Sequence, residues 1–222
     1  MKIYLLLLII LISSCDNKVD PQEKEYKKQQ TSEAEQVRIK YTKFNPSRIE
    51  NYEVQGFDIE EAYRLDSIIL LSAYSHGDLE TSSTPDNWGD RLIMIKNGTI
   101  HFQSKPVGDP YQYEPFFYRN STNNKIIIIC QLGNEENYGG EVFVLEDGEI
   151  EFMGKIEIEN PLETPDNTGL IEIIRVSEIE NSIYLDFESD SLIDLTNDDW
   201  IHVKNDSIRY LFENHAFTLI GL

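Results

Sequence analysis

Asn124-Lys125-Ile126-Ile127-Ile128-Ile129-Cys130 opens the stretch that decides the fold, which runs on to Lys155-Ile156-Glu157-Ile158. Ile126–Ile129 is an apolar, β-branched run too short for a helix, so it reads as a buried strand. An acidic loop follows, and Val142-Phe143-Val144-Leu145 forms a second apolar run. Asp147-Gly148 then separates this run from Ile150 and Phe152, which alternate with Glu149 and Glu151. Asp-Gly between apolar runs is a strong hairpin signal, because both central positions of a type I′ turn need positive φ. The stretch therefore predicts strand, loop, strand, tight turn, strand.

The same design occurs on either side. Asp66-Ser67-Ile68-Ile69-Leu70-Leu71 and Asn181-Ser182-Ile183-Tyr184-Leu185 open similar units, and Ile68, Ile126 and Ile183 align at spacings near 57. The first unit ends in a hairpin over Arg91–Phe102 with the turn Asn97-Gly98. The third is expected to end in one over Trp200–Tyr210 with the turn Asn205-Asp206. Trp88 in Asn87-Trp88-Gly89-Asp90 and Tyr138 in Asn137-Tyr138-Gly139-Gly140 hold matching places before the first two hairpins. The expected domain is all-β and spans 46–222, with antiparallel meanders in about three repeats near 66–104, 124–158 and 181–219. A period of this length suggests propeller-like blades, and a β-sandwich or barrel built from the same hairpins is the alternative. Tyr52–Ile59 reads as an additional strand, and Glu60–Leu65 as a short helical turn.

The N-terminus reads as an address. Lys2 precedes an apolar run, Ile3–Ile12, that is too short to span a bilayer and has the form of a signal-peptide core. It ends in Ile12-Ser13-Ser14-Cys15. This resembles the lipobox of bacterial lipoproteins, which implies a signal peptide over 1–14, cleavage before Cys15, and acyl chains including palmitate on that residue. Residues 15–45 are polar and mixed in charge, and no core can form from them, so they read as a lipidated cysteine and a flexible tether. Their composition is similar to tethers of Bacteroidota lipoproteins. The implied location is the bacterial cell envelope, anchored to a membrane by lipid, in the outer membrane with the domain on either face.

Composition removes several classes of function. The 222 residues carry a formal net charge of −21, which leaves no basic stripe for nucleic acid. Beyond Cys15 the only cysteine is Cys130, so the domain has no disulfide framework, and Cys130 reads as a small core residue rather than a nucleophile. His76, His101, His202 and His215 show no metal-binding spacing. The acidic loops holding Asp78, Glu80, Asp86 and Asp90, then Glu135 and Glu136, then Asp194, Asp198 and Asp199, match no calcium-loop pattern. Neither a phosphate loop nor a Gly-x-Ser-x-Gly elbow is present. The expectation is therefore no metal, no cofactor and no catalytic residue.

Aromatic residues give the best indication of a surface. Tyr111, Tyr113, Phe116, Phe117 and Tyr118 crowd one stretch, and Trp88 and Tyr138 sit in their matching loops. Rings beside carboxylates and amides can stack on sugars or grip a peptide, so Trp88, Tyr111, Tyr113 and Tyr138 form the candidate binding surface. The competing expectation is that these rings enter the core. The leading function is a non-enzymatic envelope lipoprotein that binds a protein or a glycan. A glycan hydrolase using loop carboxylates is one alternative. An immunity or inhibitor lipoprotein against a basic partner is another.

Overall fold

Nine antiparallel strands make one sheet that curls until its two end strands meet, and a five-stranded sheet packs on its outer side. The computed structural model describes residues 37–77, 88–108, 110, 112–133, 137–159, 169–189, 192–195, 201–203 and 208–221. In chain order the small sheet holds β2 (Ser47–Arg48), β3 (Asp58–Leu65), β4 (Ile68–His76), β5 (Trp88–Lys96) and β6 (Thr99–Gln103). The large sheet holds β1 (Arg38–Phe44), β7 (Gln112–Asn120), β8 (Ile126–Gly133), β9 (Asn137–Glu146), β10 (Glu149–Ile156), β12 (Ile174–Ile179), β13 (Ser182–Phe187), β16 (Arg209–Glu213) and β17 (Ala216–Ile220). Its spatial order is β10-β9-β8-β7-β1-β12-β13-β16-β17. Three short strands, β11 (Ile158–Glu159), β14 (Leu192–Asp194) and β15 (Ile201–Val203), form a third sheet. A four-residue helix, α1 (Leu170–Ile173), leads directly into β12.

The isoleucine run is continuous because β8 is buried on both faces. Ile127 and Ile129 point into the curled sheet with Val142, Val144, Val176, Leu185 and Tyr210. Ile126, Ile128, Cys130 and Leu132 point the other way, against Leu70, Leu92 and Met94 of the small sheet. An antiparallel strand with one wet face would instead alternate apolar and polar residues. The far face of the small sheet is closed by Ile49, Tyr52, Val54 and Phe57 of the β2–β3 connection, packed on Ala62, Leu71, Ala73, Ile93 and Ile95. At the seam between the end strands, Gly154 lies so close to Phe217 that an added Cβ would sit 2.4 Å from its ring. Glu151 and His215 lie 2.6 Å apart across the same seam.

The all-β, antiparallel expectation holds, and so do two of the three turns. Asn97-Gly98 and Asp147-Gly148 both have positive φ and close β5–β6 and β9–β10. The arrangement is the barrel or sandwich alternative rather than separate blades, because the second and third units share one continuous sheet. The first two units are also one residue out of register with each other. Ile68 faces Lys96, next to its turn, whereas Ile126 faces Leu145, one residue further away.

The third hairpin lies elsewhere. Ile201–Val203 pairs with β14, and Arg209–Glu213 pairs with β13 and β17. The hairpin is β16–β17, turning at Asn214-His215, where both residues have positive φ. Asparagine and histidine are among the side-chain residues most tolerant of that conformation. Asn205 and Asp206 lie outside the described residues.

Three further expectations are corrected. Glu60–Leu65 is strand, part of β3. In Tyr52–Ile59 only Asp58 and Ile59 belong to a strand, and Val54 and Phe57 make an isolated bridge. The expected tether runs too far, since β1 begins at Arg38 and occupies the middle of the large sheet. Its composition misleads because only Tyr41 is buried, while Arg38, Lys40, Thr42 and Lys43 face solvent.

Candidate functional site

Strand β1 changes partner halfway. Arg38, Ile39 and Lys40 pair with Ile179, Glu178 and Ser177 of β12. Tyr41, Thr42, Lys43 and Phe44 then pair with Asn120, Arg119, Tyr118 and Phe117 of β7. Past the handover β1 and β12 part, and a groove of about 810 Å3 opens between them. Helix α1 explains the parting. Its residues Leu170, Ile171 and Ile173 fill the interior. The Ile171 N–H donates to Gln131 Oε1 at 3.2 Å, and Tyr118 Oη donates to the Ile171 carbonyl at 3.4 Å. The start of β12 is thus tied to β7 and β8 instead of β1.

The closed end of the groove is locked by a buried polar cluster. The Glu178 carboxylate accepts from Tyr41 Oη at 2.7 Å, Asn120 Nδ2 at 2.7 Å and Lys125 Nζ at 2.9 Å. Burial pushes this carboxyl upward, but its three donors outweigh that and hold it below the usual carboxylate range. Burial and Glu178 together push the Tyr41 hydroxyl far up, so it stays a donor. Lys125 loses charge stability to burial, regains more from Glu178 and Glu146, and ends above its ordinary value. These bonds fasten β1, β7 and β12 together just where the groove begins.

The groove combines an apolar floor with a charged rim. Ile171, Ile174, Val176, Phe187 and Ile208 supply the floor. Arg38, Lys40, Lys43, Arg175 and Arg209 face three carboxylates, Glu172, Asp186 and Glu188. Asp186 is shared by Arg38 and by Arg209, the latter at 3.2 Å. Arg175 meets Glu188 at 2.6 Å, and Lys43 meets Glu172 at 3.5 Å. Lys40 meets no carboxylate among the described residues. On a chain of net charge −21 this rim is a local cationic patch. Exposed pairs of this kind contribute only ~0–1 kcal/mol each, so a ligand carboxylate can replace them at little cost. Arg175 Nη1 also donates to the Ile174 carbonyl at 2.8 Å and the Glu172 carbonyl at 3.1 Å, occupying acceptors that have no strand opposite.

The residues singled out from the sequence do not assemble. Trp88 is the first residue of β5, 37% exposed and paired with His76, whose Nε2 lies 2.6 Å from Asp58 Oδ2. Tyr113 is corrected. It is only 3% exposed, packs between the two sheets, and donates to Glu141 at 3.0 Å, so it cannot belong to a surface. Of the described rings near it in β7, Phe117 is a core side chain on one face and Tyr118 on the other, with Phe116 partly buried beside Tyr118. Tyr111 lies outside the described residues, as does the side chain of Tyr138. Cys130 is fully buried, and burial raises its thiol far above the reactive range. Of the acidic residues in the loops, Asp90 is buried in β5, and Asp78, Glu80, Asp86, Glu135, Glu136, Asp198 and Asp199 lie outside the described residues, as does the Asp194 side chain. Among the described residues no group of three or more His, Cys, Asp or Glu is placed to hold a metal ion.

Glu141 differs from Glu178. Burial raises its carboxyl above the ordinary value, and Lys155, at 3.7 Å, and Tyr113 offset this only in part. A raised carboxyl favours the folded state when protonated. Its contribution is lost as pH rises from the ordinary carboxylate range through the folded value. Glu141→Gln keeps an acceptor for Tyr113 and removes the charge. It is expected to shrink the fall in urea midpoint between about pH 4.5 and about pH 7. An unchanged fall would show that Glu141 carries no such cost.

The cations of β1 were missed because they fall in a stretch whose composition reads as tether. The available signal was the alternation of Ile39 and Tyr41 with Arg38, Lys40 and Thr42, which fits a half-buried strand. No family model, no curated protein and no solved structure matches this chain.

Proposed function

We propose that the chain is a lipid-anchored envelope protein whose β-domain is a non-enzymatic binding module for another envelope protein or a glycan. The anchor rests on Ile12-Ser13-Ser14-Cys15 following the short apolar run. The binding role is carried by one observation, the open groove with an apolar floor and cationic rim between β1 and β12. A groove with both kinds of surface can hold a ligand by burial and fix its orientation by charge.

Metabolic labelling with palmitate tests the anchor. The native chain is expected to take up label and to fractionate with membranes, and Cys15→Ala is expected to lose both. Label retained by Cys15→Ala would remove the anchor from the proposal. Binding is tested with the detergent-solubilised full chain and isolated envelope protein and polysaccharide fractions. Retention of a component that Lys40→Glu/Lys43→Glu fails to retain supports the groove. Equal retention by both proteins places binding elsewhere.

A further inference from the structure

We infer, building on the binding role proposed above, that the groove between β1 and β12 is a slot for an extended, acidic segment of a partner protein, which joins the large sheet as an additional strand. Both walls of the groove are strand edges. Tyr41–Phe44 has β7 on one side, and Ile174–Val176 has β13 on one side. Their other sides face the groove and have no strand partner among the described residues. Backbone N–H and C=O groups on such an edge form a ready template for another strand, and strand addition is a recurrent way of capturing extended peptides. Here two edges flank one opening, so an inserted strand has a partner on each side. The Ile174 carbonyl is already taken by Arg175 Nη1 at 2.8 Å, and a sugar would leave the remaining strand-edge groups without a strand opposite, which is why a peptide is the better fit.

Side chains define what the segment must look like. Residues of a strand alternate between two faces. One face of the inserted segment meets Val176, Phe187 and Ile208 on the floor and should be apolar. The other meets Arg38, Lys40, Arg175 and Arg209, on the opposite face from Lys43, and should be acidic. Asp186 already serves two arginines, and Lys40 has no carboxylate among the described residues, so incoming carboxylates have cations to accept them. The remaining surface of a chain at −21 repels an acidic segment, which makes this groove its favoured landing place. At ~3.3 Å per residue, ~4 residues of the segment span the walls.

The test uses the detergent-solubilised full chain and four probes. These are a fluorescent hexapeptide alternating valine and glutamate, the same peptide N-methylated at alternate residues in either phase, its valine–lysine counterpart, and oligogalacturonate as an acidic glycan. The acidic peptide is expected to bind. N-methylation, which removes backbone donors and leaves charge intact, should weaken it about tenfold or more in at least one phase, and Lys40→Glu/Lys43→Glu should weaken it by a similar factor. The lysine peptide should not bind. Amides of Tyr41–Phe44 and Ile174–Val176 should exchange more slowly with the acidic peptide bound. Equal binding of the N-methylated and unmodified peptides, or no added protection at those amides, overturns strand addition. Oligogalacturonate binding that needs Lys40 and Lys43, without peptide binding, overturns the inference and leaves the binding role standing. If no probe binds in a way that depends on the groove, both fall.

Discussion

Lys125→Met is expected to destabilise the protein by about 3–5 kcal/mol, because it strands the Glu178 carboxylate in the interior without its countercharge. The side chains of both partners are almost inaccessible to water. Tyr41 and Asn120 would still donate to Glu178, but neither supplies a charge. Replacing Glu178 as well, with leucine, removes the unpaired charge. It also leaves the Tyr41 hydroxyl and the Asn120 amide without their acceptor, so the double variant should recover only part of the loss. Denaturant midpoints of the four proteins in this cycle measure the coupling directly. A Lys125→Met midpoint close to that of the native chain would show that water reaches Glu178 and that the cluster does not lock the strands.

The acid limb of the stability profile provides a second readout of the same cluster. A carboxyl held below its ordinary value stabilises the fold fully above that value. The contribution is lost as pH falls through the folded value. The native chain should therefore weaken as pH drops below about 4.5, where Glu178 of the unfolded chain begins to take up a proton while the folded one resists it. In Lys125→Met the largest favourable influence on that carboxyl is gone, so its folded value rises toward or past the ordinary one and the acid loss should shrink.

Phe143→Ala is expected to cost about 3–5 kcal/mol, the range for removing a buried ring without refilling its space. Phe143 is fully buried in β9, on the face turned toward the small sheet. Its ring meets Phe102 of the small sheet edge-on at 6.0 Å and Phe152 of β10 at 5.3 Å. Truncation opens a void at the junction of the two sheets, and no flanking side chain can fill it without leaving another contact. Phe143→Leu should cost less. A loss well under 2 kcal/mol for Phe143→Ala would mean that the sheets slide together to close the void, and the position of β6 over β9 would need revising.

The parts of the fold legible in the sequence are those specified by short-range chemistry. Asn97-Gly98 and Asp147-Gly148 declare their turns through local backbone demand. The isoleucines of β8 declare a strand covered on both faces. Asn214-His215 turns just as tightly, yet the pair lacks a glycine, and Asn205-Asp206 offered a better-looking match nearby. The binding groove was not legible at all. It exists because β1 exchanges β12 for β7 between Lys40 and Tyr41, an event set by α1 docking on Gln131 and Tyr118 far along the chain. Tyr113 shows the same limit. An aromatic residue flanked by glutamine and glutamate looks exposed in sequence, and only the packing of the small sheet over β7 buries it.

The position of β1 sets the order in which this protein can be completed. β1 is the earliest strand of the large sheet to be synthesised, and it is the one that joins the halves of that sheet. Tyr41 and the Glu178 that receives its hydroxyl are separated by 137 positions. A growing chain that has reached Asn120 can close the contact with β7, but the first half of β1 must wait for β12. A product ending before Ile174 presents Arg38–Lys40 as an unclaimed edge, open to pairing with another unfinished copy. Late truncations should therefore be more damaging than the size of the missing piece suggests, since they remove the partner of the first strand made.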